Sequence, residues 1–231
     1  MCRICRNRKG LTLLELLIAM SITVLVVGAL GAVSNAVHSS AEYGERYGTA
    51  TQHARVALER ITRTVREATA NEKFPGFLVV EEQSGFPDTL VVWNPTAVQR
   101  KPTQPTDPSG LPRFNELVIF APDADEPNHL FEIRFSDIED EWDLTKLSEI
   151  MHGPSANRVK LTELVRTGEP LVPRGAVRFE RHLRDSDVQG IPGLRQARLR
   201  IELQLAAETG ASGTQAIPFF GSAAVYYVKR Q

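Results

Sequence analysis

Cysteine is all but missing from this chain: Cys2 and Cys5 are the only two, both within the first five of 231 residues. No disulfide can staple the body of the protein, whose stability must come from packing. The Cys-x-x-Cys spacing has no second ligand pair after it and no strand-helix context around it, which argues against a zinc or redox site. An excess of either charge is also missing. Lys and Arg number 27 against 28 Asp and Glu, a formal net charge of −1, so no overall basic field announces a nucleic-acid partner. Catalytic signatures are lacking too. His38, His53, His129, His152 and His182 are scattered, without the His-Glu-x-x-His spacing that puts metal ligands on one helical face, and they read as solvated or packed side chains. No Walker loop, Gly-x-Ser-x-Gly elbow or Ser-x-x-Lys motif occurs, so nothing in the sequence supports an enzyme. There is no internal repeat. With 42% apolar and 24% charged residues, the composition is that of an ordinary globular protein.

What the chain does have is an asymmetric N-terminus. Arg3, Arg6, Arg8 and Lys9 precede Gly10, after which Leu11 to Val37 runs LTLLELLIAMSITVLVVGALGAVSNAV. Between Leu16 and Val33 only Ser21 and Thr23 are clearly polar, and as a helix that stretch measures about 27 Å, close to a bilayer core of about 30 Å. A membrane span is expected. The basic side predicts a cytoplasmic N-terminus and an exported C-terminal body. A secretory signal also starts with positive charge and an apolar run, and Ala29 to Ser34 (ALGAVS) resembles its small-residue cleavage site. Two features argue against that reading: the run is long for a signal, and Glu15 lies inside it. Insertion scales put a carboxylate at a membrane helix centre at roughly 2.5 to 3.5 kcal/mol, less near an interface, so Glu15 calls for a partner and a function.

Lys9-Gly10-Leu11-Thr12-Leu13-Leu14-Glu15-Leu16-Leu17 closely resembles the cleavage and methylation signature of type IV prepilins and type II secretion pseudopilins. The resemblance implies that a membrane prepilin peptidase cuts after Gly10 and N-methylates Leu11, leaving the apolar helix attached. It implies that Glu15, fifth in the mature chain, pairs with the N-terminal amine of a neighbouring subunit, and that the partners are other pilin-like subunits and an inner-membrane assembly platform. Loss of the leader would remove both cysteines and four positive charges, leaving a formal charge of about −5. The sequence departs from the family at two places. Leu11 stands where phenylalanine or methionine is commonest, and Ala32 stands where many major pilins have a kinking proline. Gly28 and Gly31 are expected to loosen the helix instead, since glycine costs about 1 kcal/mol relative to alanine.

The helical period continues past the span. Tyr43, Tyr47, Ala50, Ala54, Ala57, Ile61, Val65 and Ala68 form one stripe, with Arg55, Glu59, Arg63 and Arg66 opposite. Helix is expected to about Ala70, with Pro75-Gly76 ending the pattern. Short β-like runs follow at Phe77 to Glu82, Thr89 to Trp93, Leu117 to Ala121, Leu130 to Phe135, Ala176 to Arg181, Arg195 to Leu205 and Ala223 to Val228. A second helix is expected from Trp142 to Met151, and the stretch 94–112, with five of the 14 prolines, reads as a long loop. The predicted fold is α+β, a long N-terminal helix packed on an antiparallel β-rich exported domain. Its divisions are a leader at 1–10, a transmembrane or filament-core helix at 11–37, an amphipathic continuation at 38–73 and a globular body at 74–231.

No cofactor is expected. Asp137, Glu139, Asp140, Glu141 and Asp143, with the smaller cluster Asp123, Asp125 and Glu126, supply oxygen atoms of the kind calcium takes, but neither fits an EF-hand loop, and solvated acidic loops are the simpler reading. The body is larger than that of a small major pseudopilin and resembles the minor subunits, the J-type pseudopilin or the W-type minor pilin, which implies a place at or near a filament tip. Two other readings fit parts of the pattern. One is a single-pass anchored binding protein that never enters a filament, and the other is a secreted enzyme released near residue 30.

Overall fold

The computed structural model describes residues 12–71, 73–80, 89–95, 110–122, 129–151, 153–162, 177–185, 194–209 and 213–228. The chain divides into two compact units, Met1–Glu45 and Arg46–Gln231, and helix α1 (Leu13–Arg66) contributes residues to both.

In the first unit the stretch of α1 from Leu16 to Val33 is apolar nearly all round, and none of its side chains is buried among the described residues. Leu13, Leu14, Ile18, Val24, Leu25 and Leu30 are all more than half exposed, and no residue of the most apolar 18-residue window of α1 is buried among the described residues. In water that exposure would be strongly unfavourable, at roughly 25 cal/mol per Å² of apolar surface. The helix runs unbroken through Gly28, Gly31, Gly44 and Gly48, so the loosening expected at the first two is not seen.

The second unit is built from two antiparallel sheets. The first comprises β1 (Phe77–Val80), β2 (Thr89–Trp93), β3 (Leu117–Pro122), β4 (Leu130–Phe135) and β5 (Ala156–Thr162), in that spatial order. The second comprises β6 (Val177–Asp185), β7 (Leu194–Thr209) and β8 (Gly213–Val228). Between β4 and β5 lies α2 (Leu144–Met151). The α+β architecture read from the sequence is the observed one.

Each face of the first sheet has its own core. On one face Phe77, Leu90, Val92, Val118 and Phe120 pack with the α1 stripe and with Leu199, Ile201 and Leu203 of β7. On the other, Val91, Trp93, Ile119, Ile133 and Phe135 pack with Leu147 and Met151 of α2. Burial on both faces explains why β2 reads as the continuous apolar run TLVVW and not as an alternation. Phe74 sits edge-on to both Trp93 and Trp142, with ring centroids 5.8 and 6.1 Å away.

The α1 stripe differs from its expected form. Ala50, Ala54, Ala57, Ile61 and Val65 are buried, and Thr64 joins them, its hydroxyl donating to the Arg60 carbonyl at 2.9 Å. Tyr43 and Tyr47 are 39% and 44% exposed and therefore extend the period without extending the core. The three alanines let the backbone of α1 approach the sheets closely, and on β8 the matching small residue is Gly221. A Cβ built there would lie 3.1 Å from Leu58 Cδ2 and 3.7 Å from Thr62 Cγ2.

Helix α1 stops at Arg66, four residues short of expectation. After it, the Thr69 N–H donates to the Trp93 carbonyl, and Asn71 Oδ1 accepts from the backbone N–H groups of Lys73 and Phe74. Gly76 then adopts φ +91°, a left-handed conformation that suits glycine. One strand, β5, and the first part of another, β8, escaped the sequence reading. β5 is an edge strand with a single buried position, so it carries little apolar signal. The part of β8 before Ala223 contains Pro218 and Gly221, both of which argue against a strand. Most of the proline-rich stretch, 96–109, lies outside the described residues, as does Ala176.

A buried ion-pair network ties the second-unit part of α1 to β4. Glu132 is 2% exposed. It accepts from Arg60 Nε at 2.6 Å and Arg60 Nη2 at 2.9 Å, and from Arg134 Nε at 2.7 Å. Burial pushes the Glu132 carboxyl up, but the hydrogen bonds and positive charge of Arg60 and Arg134 outweigh it and hold the carboxyl below its ordinary value. Periodicity could not reveal this contact, because the partners lie 72 residues apart.

Candidate functional site: the start of helix α1

The site is the first turn of α1. Thr12 is the residue before the helix and Glu15 its third residue, the spacing of a capping box. The Thr12 backbone N–H donates to Glu15 Oε2 at 2.9 Å, and the Thr12 hydroxyl donates to the same oxygen at 3.1 Å. In return the Glu15 N–H donates to Thr12 Oγ1 at 3.3 Å. Two N–H groups that a helix start leaves unpaired are thereby satisfied. The carboxylate also sits where the positive end of the helix dipole favours it.

Thr12 is the functional neighbour that the sequence reading missed, although its signal was present in the spacing Thr-x-x-Glu ahead of an apolar run. Glu15 thus has a partner within its own chain, in addition to the intersubunit amine implied by the resemblance. The capping box engages Oε2.

Two further polar groups lie in the apolar stretch, and both are satisfied inside the helix. The Ser21 hydroxyl donates to the Leu17 carbonyl and the Thr23 hydroxyl to the Ala19 carbonyl, each at 2.8 Å. A hydroxyl that bonds back one turn presents no unpaired donor to hydrocarbon. The stretch therefore suits a lipid or helix-lined environment despite its serine and threonine.

Gly10 and Leu11, the residues on either side of the expected cut, lie outside the described residues, as do Cys2, Cys5 and the basic side chains of the leader. The family model for the prokaryotic N-terminal methylation motif matches residues 5–31. This is a prepilin-type N-terminus. The match spans the basic residues just before Gly10, the Gly10-Leu11 bond, Glu15 and the apolar run as far as Gly31. No curated protein and no solved structure matches the chain. The matched segment runs into a helix that is long and apolar enough to cross a membrane.

Among the described residues the remaining candidates do not assemble into a site. Asp137, Glu139, Asp140, Glu141 and Asp143 are exposed. Asp143 is engaged at the start of α2, accepting from the Thr145 hydroxyl at 2.7 Å and the Thr145 N–H at 3.1 Å, and these bonds lower its carboxyl from the ordinary value. Asp140 lies 3.4 Å from Lys146 Nζ. Among the described residues no group of three His, Cys, Asp or Glu side chains is placed to hold a metal ion, while Asp123, Asp125, Glu126 and His152 fall outside them. His38 Nε2 is 3.2 Å from Glu42 one helical turn on, and His53 Nδ1 is 3.4 Å from Thr162 Oγ1.

Proposed function

We propose that this chain is a minor pilin- or pseudopilin-type subunit whose chemistry is done to it and whose product is an interface. Prepilin peptidase cuts after Gly10 and methylates Leu11, and the mature chain waits in the bacterial inner membrane with its C-terminal body exported. From there the assembly platform moves it into a filament of the type IV pilus or type II secretion kind. The apolar face of α1 exchanges lipid for neighbouring helices, and Glu15 pairs with the N-terminal amine of the adjacent subunit as they dock. A carboxylate and an ammonium attract each other strongly in low dielectric, and an unpaired one is costly there, so the pairing selects correct register. The size of the body favours a minor subunit at or near the tip over a shaft subunit.

The observation that carries this reading is the prepilin-type motif placed directly on a helix that is long and apolar enough to cross a membrane. A plain secretory signal would not carry Glu15 in a capping box at the head of that helix. The test is N-terminal sequencing and mass spectrometry of the protein recovered from membranes. A methylated Leu11 supports the reading, with uncleaved precursor accumulating for Gly10→Glu. A start near Asn35 would identify a secreted protein, an intact leader a plain anchor, and either result defeats the proposal.

A further inference from the structure

Among the described residues β8 pairs with β7 alone, in unbroken register from Thr209↔Gly213 to Leu194↔Val228, leaving its second edge without a strand. None of its 16 residues, GTQAIPFFGSAAVYYV, is charged. Edge strands are ordinarily guarded by lysines, bulges or proline, because an open row of N–H and C=O groups invites another strand. Here the register has no bulge, and the guard is Pro218. Proline fits an edge strand where its missing N–H faces away from the paired neighbour. Alternation along an antiparallel strand then turns the backbone groups of Phe220, Ser222, Ala224 and Tyr226 to the open edge. The same four residues place their side chains on the face away from the core. Phe220 and Tyr226 are each 57% exposed, while Ala223 and Val225 between them are buried.

We propose that this open edge pairs antiparallel with the same edge of a second copy of the chain, centred on Ala223, joining two three-stranded sheets into one. The strand is self-complementary in this register. Phe220 lies opposite Tyr226 of the partner subunit, Tyr226 opposite the partner's Phe220, and Ser222 opposite the partner's Ala224. Centring on Ser222 or Ala224 would set the aromatics against small residues or leave them overhanging. Pro218 falls opposite the partner's Val228, where it has no N–H to give, and so ends the ladder. An uncharged strand meets no repulsion from its own copy, whereas a charged partner strand would find no counter-charge on β8. Both aromatics are already held in place: Arg200 lies over the Phe220 ring at 5.7 Å, and Gln196 Nε2 donates to the Tyr226 hydroxyl at 2.8 Å. Such preorganisation lowers the cost of association. A two-fold contact closes on itself, so this pair is a state of the subunit outside a polar filament, in the membrane pool, and it stands independently of the filament reading.

The test uses the full chain carrying Cys2→Ser and Cys5→Ser, reconstituted in lipid vesicles. Differently tagged Ser222→Cys and Ala224→Cys chains are mixed and oxidised. In the paired edge these positions face each other at about 5.5 Å between Cα atoms, within disulfide reach. The expected result is cross-linking at least about tenfold faster than for Ser222→Cys mixed with Gln196→Cys, which lies one strand further in. Ser222→Lys alone and Ala224→Glu alone should each weaken the dimer about tenfold or more, and mixing the two should restore it, since opposite charges then face each other. Equal cross-linking for both cysteine pairs, or a Ser222→Lys chain that dimerises like the parent, overturns the proposal. Leader cleavage and recovery in sheared filaments are scored on the same chains, so a failed edge contact is told apart from a failed filament reading.

Discussion

Thr12 and Glu15 share one capping box but are asked to do different things, and two substitutions separate the roles. Thr12→Ala removes the hydroxyl that accepts from the Glu15 N–H and donates to its carboxylate, while leaving the charge in place. Loss of such a cap costs about 1 kcal/mol, or roughly a factor of five in an equilibrium. Glu15→Gln keeps an oxygen at the position that accepts from the Thr12 N–H, but removes the negative charge. If the carboxylate pairs with a neighbouring ammonium in the apolar filament core, removing one partner leaves the other uncompensated, at about 3 to 5 kcal/mol. That is at least about a hundredfold in assembly, by the rule that 1.4 kcal/mol is tenfold. The assay is the fraction of processed protein recovered with sheared filaments, with leader cleavage followed separately by gel mobility. Thr12→Ala should assemble at reduced yield and Glu15→Gln should be cleaved but nearly absent from filaments. If Glu15→Gln assembles as well as Thr12→Ala, the carboxylate is only a helix cap and the intersubunit pairing is wrong.

Other outcomes follow from the body of the protein. Glu132→Gln should lower stability by about 2 to 4 kcal/mol at neutral pH, somewhat under the full cost of breaking a buried pair because Arg60 and Arg134 are partly exposed and can regain water. The folded carboxyl titrates below its unfolded value, so its contribution is complete above about pH 4.3 and disappears as pH falls toward the lowered folded value. The gap between parent and variant in urea melts followed by tryptophan fluorescence should therefore close on acidification, and a gap independent of pH would contradict the assignment. Ile61→Ala, at a site 1% exposed in the α1 stripe, should cost about 2 to 5 kcal/mol in the same melts. Gly221→Val places branched carbons where a single Cβ already comes within 3.1 Å of Leu58, and a loss of about 1 to 3 kcal/mol is expected from overpacking.

The sequence read well where a single residue type or period carries the information locally. Thr89–Trp93 and Leu130–Phe135 were legible to the residue, the first because a five-residue run rich in β-branched and aromatic side chains is too short for a helix, the second because it alternates. β5 was not legible, since an exposed edge strand needs few apolar residues and is held by backbone pairing with β4. Nor was the full length of β8, where proline and glycine are tolerated because β7 supplies the pairing on one side and α1 needs the space at Gly221. Tyr43 and Tyr47 show the converse: the period was right, but they stay 39% and 44% exposed and so add nothing to the buried core.

By itself the sequence determined the N-terminus of this protein. A basic leader, Gly10, Glu15 and a long apolar run are local features whose meaning is set by chemistry and by bilayer thickness, with no need of distant contacts. Tertiary structure alone decided that Glu132 is neutralised by Arg60 and Arg134, that both faces of the first sheet are buried, and that among the described residues an uncharged edge of β8 is left open. Such features depend on residues far apart in the chain being brought to hydrogen-bonding distance, and no periodicity along a sequence records that.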